Sequence, residues 1–389
     1  MPRFDLVIVG AGPAGAAAAV AGRSEGLSVA LIDKARFPRT KLCGGLVTGR
    51  CARHLSDIFD LDVDPALFET RRNFEFHLDG VRLGRLTGVP PAHLTMRWDL
   101  DAELFRRAVD SGAHDYSGQR IARLDIDRQR VALQSGETLA YDCLIGADGV
   151  QSSVARTLFG APFDKHRIGF ALEIEADAQA PDDATPLRID FAAAEWGYGW
   201  VFPKRGSTTI GLGGLQERNP DMKSRLAAYR ALLGAESPAR VKGHFLPFGD
   251  YRTRPGRHNV LLAGDAAGFV DPITGEGIGH AVHSGALAAR AAATAIRAER
   301  PHAAMGHYRA ATRPIRTALR SARLLRPVIF ARPLKPFFAS TFRASRRLKH
   351  DYMRLLSGDT EYPGLLARTA LRLPWAAIRW AVRRGTTRG

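Results

Sequence analysis

An apolar run from Phe4 to Val9, interrupted only by Asp5, stops at Gly10-Ala11-Gly12-Pro13-Ala14-Gly15, and apolar residues resume in an alanine-rich stretch. That pattern predicts a buried strand, a tight turn and a helix. A second strand is predicted from Ser28 to Ile32, ending at Asp33. Phe74–Leu78 and Val81–Leu86 flank Asp79-Gly80, a two-residue hairpin signal. Arg97 opens a helical pattern through Leu100, Leu104 and Ala108 that closes before Gly112. Alternating runs at Ile121–Ile126 and Arg130–Leu133 lead to the apolar strand Cys143-Leu144-Ile145, which ends at Gly146-Ala147-Asp148-Gly149. Between about Ile168 and Phe245 short strands dominate, among them Leu187–Phe191, Tyr198–Phe202 and Thr208–Leu212, with one helix near Met222–Leu232. Buried-strand character returns at Asn259–Ala263 and ends at Gly264-Asp265. Gly275 then opens an alanine-rich helix to about Arg297, and the rest reads as helices broken at Pro314, Pro327, Pro333, Pro336, Pro363 and Pro374.

The first turn carries the strongest chemical signal. Gly10 permits the turn, Gly12 lets backbone approach a pyrophosphate, and Gly15 lets the helix pack on the strand. The helix N-terminus then presents free N–H groups to an anion, and Asp33, about twenty residues on, can accept from ribose hydroxyls. A dinucleotide fits this arrangement. Three separate strands end on small and acidic residues, at Gly10–Gly15, Gly146–Gly149 and Gly264-Asp265. A cofactor spread over several strand ends accounts for all three, which favours a flavin dinucleotide over NAD.

Composition narrows the setting. The chain has 389 residues, 45% hydrophobic and 24% charged, which suits a soluble globular protein of two or three domains. No run of 18 apolar residues occurs, and the first strand begins at residue 4 with no signal segment before it, so a cytoplasmic location is expected. Cys43, Cys51 and Cys143 have neither disulfide nor metal-ligand spacing, so no metal is expected. The net charge of +17 is concentrated after residue 312, where 18 Lys and Arg face three acids, while the body carries 38 basic against 36 acidic groups. The tail is a polycation on a nearly neutral body.

Together these residues resemble the flavoprotein superfamily with the p-hydroxybenzoate hydroxylase fold, and within it the geranylgeranyl reductase family. The superfamily signals are the N-terminal glycines with Asp33, Gly146–Gly149 followed by Ser152, Ser153 and Arg156, and Gly264-Asp265-Ala266-Ala267. The closer signals are Lys41-Leu42-Cys43-Gly44-Gly45, Tyr198-Gly199-Trp200-Val201-Phe202-Pro203-Lys204 and Asp271–Ile278. The resemblance implies an α/β (mixed α+β) fold: a Rossmann-like FAD-binding domain from 1–72, 95–160 and 246–300, an interleaved antiparallel-sheet substrate domain from 73–94 and 161–245, and a basic C-terminal helical region from 301–389. It implies FAD as cofactor. Gly10, Gly12, Pro13, Ala14, Gly15, Asp33 and Lys34 would hold its ADP half, Asp148 and Gly149 would lie by the pyrophosphate and ribose, and Gly264 and Asp265 would meet the ribityl chain. Arg97 would contact the cofactor, as would Cys43 and Gly44. Pro272, Gly275, Gly277 and Ile278 would turn backbone N–H groups and a helix dipole toward the flavin edge that gathers charge on reduction.

Cys43, Tyr198 and Trp200 are the catalytic candidates. Cys43 would face flavin and substrate, although a free cysteine is commonly a small buried hydrophobe. Tyr198, Trp200 and Phe202 alternate on one face of a strand, which is either core or, following the family, an aromatic roof over the flavin and a prenyl channel. Glu276 reads equally as a polar group near the ring or as an acid complementing the helix dipole. The implied reaction is hydride transfer to a C=C bond of a polyprenyl lipid, with NAD(P)H or ferredoxin as electron donor and an acid near the flavin. An aromatic hydroxylase is the alternative, and halogenase a distant third. The tail predicts a basic amphipathic segment at Leu371–Arg384, and Phe337, Phe338 and Phe342 beside Arg343, Arg346, Arg347 and Lys349 predict a second, which together suggest contact with an anionic membrane surface. No nucleic-acid partner is expected.

Overall fold

The computed structural model describes residues 1–365 apart from 179, 180, 183, 236 and 237. The segment Leu371–Arg384 therefore lies outside the described residues. No helix among the described residues is long and apolar enough to cross a membrane.

The first strand lies in the middle of an eight-stranded sheet because Leu6–Val9 is apolar on both faces; Leu6, Val7 and Ile8 are fully buried. The strands Val260–Leu262, Thr138–Gly146, Arg3–Val9, Val29–Asp33 and His114–Ser117 lie side by side and parallel. The three strands that end on small and acidic residues are thus consecutive neighbours pointing the same way. Their carboxyl ends form one continuous ledge. The hairpin Ile121–Asp125 and Arg130–Leu133 is attached beside Thr138–Gly146.

The helices Pro13–Ser24 and Ile278–Arg297 lie over this sheet with almost no side chain between them. A Cβ at Gly285 would sit 2.0 Å from the Ala14 carbonyl oxygen, and one at Gly22 would come 3.9 Å from Ala289 Cβ. Alanine and glycine are required because the two backbones touch. The later helix begins at Ile278 rather than at Gly275, since Asp271–Gly277 is a turn held by the buried Asp271 carboxylate, which accepts from Ile273 N at 2.8 Å and Thr274 N at 2.9 Å.

A second sheet of seven strands runs in the order Lys242–Leu246, Gly169–Asp177, Ser207–Leu215, Tyr198–Lys204, Leu187–Asp190, Phe74–Leu78 and Val81–Leu86. The early hairpin joins it through a parallel pairing of Phe74–Leu78 with Leu187–Asp190. A small third sheet, Leu46–Val47, Ala92–Leu94 and Glu69–Arg71, links the two.

Among the described residues, prolines after residue 312 start helices more often than they break them. Pro314 and Pro336 occupy first turns, where the missing N–H costs nothing, and Pro327 lies inside Arg313–Phe330 without ending it. The reading of Phe337, Phe338 and Phe342 as a membrane-facing stripe is corrected by the structure. All three are buried, with Phe338 and Phe342 packed edge-on against Phe191 at ring distances of 5.2 and 5.6 Å and Phe342 also against Phe76 at 5.2 Å. Arg343, Arg346 and Arg347 point outward instead. The aromatic stripe belongs to the core because the second sheet otherwise exposes the rings of Phe76 and Phe191.

The tightest test of this architecture is Gly15, whose added Cβ would lie 1.7 Å from the Gly10 carbonyl oxygen. Gly15→Ala forces helix and strand apart and is expected to cost about 1–3 kcal/mol. A urea-unfolding midpoint unchanged from wild type would show that the two backbones are not in contact.

Candidate functional site

The ledge of strand ends opens into a cavity of about 1030 Å³ that continues beneath the second sheet. Gly10, Gly12, Pro13, Ala14, Asp33, Lys34, Cys43, Gly44, Arg97, Asp148, Gly149, Tyr198, Trp200, Asp265, Gly275, Gly277 and Ile278 all line it. Gly15, Gly264 and Pro272 do not. Gly15 and Gly264 instead make the close backbone approaches that shape the wall, Gly264 with a φ of 58° and Cβ positions 3.1 Å from Ala14 and Ala281.

Two helix N-termini face this space. Neither Pro13–Ser24, capped by Gly12, nor Ile278–Arg297, capped by Gly277, has a capping side chain. Uncapped first turns leave N–H groups without partners, which a dinucleotide phosphate and an electron-rich ring edge can supply. Nothing but the Arg39 guanidinium, 3.1 Å away, approaches the Cβ position of Gly12, so the backbone there is open to a ligand. The residues present fit a flavin dinucleotide.

Asp33 has a second task that the motif alone did not show. Its two carboxylate oxygens accept from Ala11 N and Ala35 N, both at 2.8 Å, and so fix the glycine loop against the second strand. Asp148 likewise accepts from Ser153 N at 2.6 Å and Ser153 Oγ at 2.8 Å, which anchors the helix Ser153–Phe159, while its other oxygen is buried without a partner. Arg97 is not a solvated charge. It forms a bidentate pair with the fully buried Asp101, at 2.6 and 2.8 Å, and Arg39 meets the same carboxylate at 3.0 Å. One carboxylate holding two guanidinium groups leaves the wall beside Gly12 positive.

The second sheet supplies the opposite wall. Tyr198, Trp200 and Phe202 share the cavity face, and the Tyr198 hydroxyl donates to the Thr274 carbonyl, tying this strand to the Asp271–Gly277 turn. Gly44 is required where the Lys41–Gly45 loop crosses the aromatic strand, since a Cβ would lie 2.9 Å from the Phe202 ring. The C-terminal helix Arg346–Ser357 contributes Tyr352 and Leu356, so the tail closes the far end.

Four ionisable groups in this wall were missed or left open by sequence reasoning. Glu173 Oε1 accepts from Cys43 N at 2.9 Å, and burial pushes its carboxyl up to about 7. Glu276 lies in the wall, accepts from Thr48 Oγ1 at 2.7 Å, and is also raised to about 7 by burial. Lys41 contacts His244; burial lowers the lysine to about 8 and, with the neighbouring Lys41 charge, the histidine to about 4. These pairs join positions 130 or more residues apart. The sequence had raised Glu276 as one of two readings; for Glu173 it offered only a charge between Leu172 and Ile174, a pattern that Glu175 repeats two residues on.

Because Glu173 and Glu276 bind protons more tightly folded than unfolded, their contribution to stability falls as pH rises from their ordinary range near 4.5 through about 7. Glu276→Gln removes one of the two contributions. Urea unfolding at pH 5 and pH 8 is expected to show wild type losing stability relative to the variant as pH rises; an unchanged difference between them would mean that Glu276 titrates normally.

Comparison with known proteins agrees with this geometry. Residues 5–73 match the FAD dependent oxidoreductase family. The menaquinone reductase of Mycolicibacterium smegmatis is 32% identical over 316 residues, 74% of this chain and 76% of that protein. The geranylgeranyl diphosphate reductase of Rhodobacter capsulatus is 30% identical over 317 residues, 77% of each. Among solved structures, a geranylgeranyl bacteriochlorophyll reductase-like protein of Thermoplasma acidophilum has a TM-score of 0.79 at 19% identity over 95% of this chain and 99% of that one. A flavin-dependent brominase reaches 0.74, also at 19%, over 96% and 99%, so the fold alone serves more than one chemistry. Identity at this level over three quarters of both chains makes the protein a member of the geranylgeranyl reductase family of FAD-dependent oxidoreductases.

Proposed function

We propose that the chain saturates C=C bonds in the polyprenyl part of a lipid or isoprenoid. The observation that carries this reading is the continuity of one cavity, from the open glycine loop to an apolar chamber walled by Ile189, Trp200, Phe202, Phe248, Tyr352 and Leu356. Relatives named as geranylgeranyl diphosphate and menaquinone reductases support reduction as the reaction class.

Bound FAD supplies a hydride donor after two-electron reduction. Gly10, Gly12, Pro13 and Ala14 would hold its pyrophosphate at the first helix N-terminus, with Arg39 and Arg97 offsetting the phosphate charge. The turn Gly275–Ile278 would place the second N-terminus against the ring, where it stabilises negative charge. Trp200 and Phe202 exclude water from the chamber and hold an extended apolar chain by its faces. Tyr198 keeps the turn and the aromatic strand in register through its bond to Thr274. An alkene is a weak hydride acceptor, so a protonated group must stand in this chamber. The Lys41–Gly45 loop brings Cys43 to its edge.

The protein is expected, when photoreduced without oxygen and given a polyprenyl lipid, to reoxidise its flavin while the lipid gains two hydrogens. Anaerobic absorbance and lipid mass spectrometry report the two halves. Reoxidation that waits for air, with oxygen appearing in an added aromatic compound, would replace the reductase reading with the hydroxylase one.

A further inference from the structure

Glu173 stands in the middle of the strand Gly169–Asp177 between the buried side chains of Leu172 and Ile174, and is itself 6% exposed. Across the sheet it pairs with Lys242 on one side and Gly211 on the other, and Gly211 pairs in turn with Trp200. A Cβ at Gly211 would sit 2.4 Å from Trp200 Cζ2 and 2.9 Å from Glu173 Cβ. The missing side chain lets the indole lie beside the glutamate stem and shield it from water. Glu173 and Trp200 both line the cavity.

The carboxyl's two oxygens are unlike. Oε1 accepts from Cys43 N, whereas Oε2 is buried with no hydrogen-bond partner, as is the Trp200 indole N–H. A buried carboxylate oxygen with no donor is costly, and holding a proton there relieves the cost. The charged groups facing Glu173 oppose one another. Lys204 from the Tyr198 strand and Lys242 from the edge strand favour the carboxylate, as does the Cys43 N–H, and Glu175 disfavours it. Desolvation outweighs them and sets the carboxyl at about 7.

We propose that Glu173 is the proton source of the reduction: its carboxyl gives up the proton that reaches one carbon of the double bond as hydride from the two-electron-reduced flavin reaches the other. The C=C π bond breaks, two C–H bonds form, the flavin is left oxidised, and the Glu173 O–H becomes a carboxylate held by Cys43 N–H. Water admitted when product leaves returns the proton. This rests on the polyprenyl-reductase reading. Cys43 then acts through its backbone, which gives the Lys41–Gly45 loop a role independent of the thiol.

Glu173→Gln keeps an oxygen for the Cys43 N–H and removes the transferable proton. In anaerobic single turnover of the photoreduced holoenzyme with a polyprenyl lipid, wild type should slow as pH rises through about 7. The variant, with wild-type flavin content, should be slower by roughly 10²-fold or more and lack that step. Infrared spectroscopy of the substrate-free holoenzyme gives a second reading: a protonated-carboxyl carbonyl band that titrates near pH 7 should shrink in Glu173→Gln. Glu276 titrates in the same range, so the loss of amplitude against Glu276→Gln separates the two. A variant with the wild-type rate and pH profile, or an unchanged carboxyl band, overturns the assignment. Wild type that leaves the lipid unreduced overturns the substrate reading instead, and the infrared result still decides whether Glu173 holds its proton.

Discussion

Two helices can bring their N-termini onto one ligand only where nothing bulky keeps their backbones apart. Here Gly285 lies on the Ala14 carbonyl and Gly22 packs toward Ala289, so the glycine-loop helix and the later alanine-rich helix run together. Ala14 is in the first turn of one and Gly285 about two turns into the other. At 1.5 Å per residue the two uncapped ends are offset by roughly 10 Å along the cavity. That stagger lets one end serve a phosphate and the other a ring. Any side chain at Gly285 would shift both helix ends at once, although Gly285 does not itself line the cavity.

The remaining structure holds this pair in place with carboxylates that are buried, Asp101 and Asp271, or half-buried, Asp33 and Asp148. Asp33 staples the glycine loop, Asp101 gathers Arg39 and Arg97, Asp148 anchors a neighbouring helix, and Asp271 shapes the turn before the second N-terminus. Tyr362 from the C-terminal region donates to Asp271 at 2.9 Å, which links the tail to the flavin side of the site. Each of these acids has a local structural bond in addition to any contact with cofactor.

The parallel sheet and its ledge were legible in the sequence because every step of that pattern is local: apolar run, glycines, alanine stripe, acid. The residue pattern showed the second sheet only as strands; that residues 73–94 join 161–245 and that the aromatic strand forms a wall came through the family resemblance alone, because no local pattern pairs residues 74–86 with residues 169–246. The aromatic row Tyr198, Trp200 and Phe202 looked the same for a core and for a cavity, and proves to be both, buried at Trp200 and Phe202 yet facing the open space. Phe337, Phe338 and Phe342 failed the opposite way. Rings beside arginines satisfy the pattern of an interfacial helix, and only the positions of Phe76 and Phe191 show that the rings turn inward. The pairs Glu173 with Cys43, Glu276 with Thr48, and Lys41 with His244 were invisible because no short-range rule connects them.

Tyr352 and Leu356 reach the cavity from a helix that carries none of the dinucleotide machinery. The molecule therefore divides its evolvable parts. Substitutions along Arg346–Ser357 can lengthen, shorten or bend the chamber while the ledge and its paired N-termini keep their chemistry. Divergence in this region is a route to a changed cavity shape within one cofactor-binding apparatus, and related proteins that share the first 300 residues need not share a substrate.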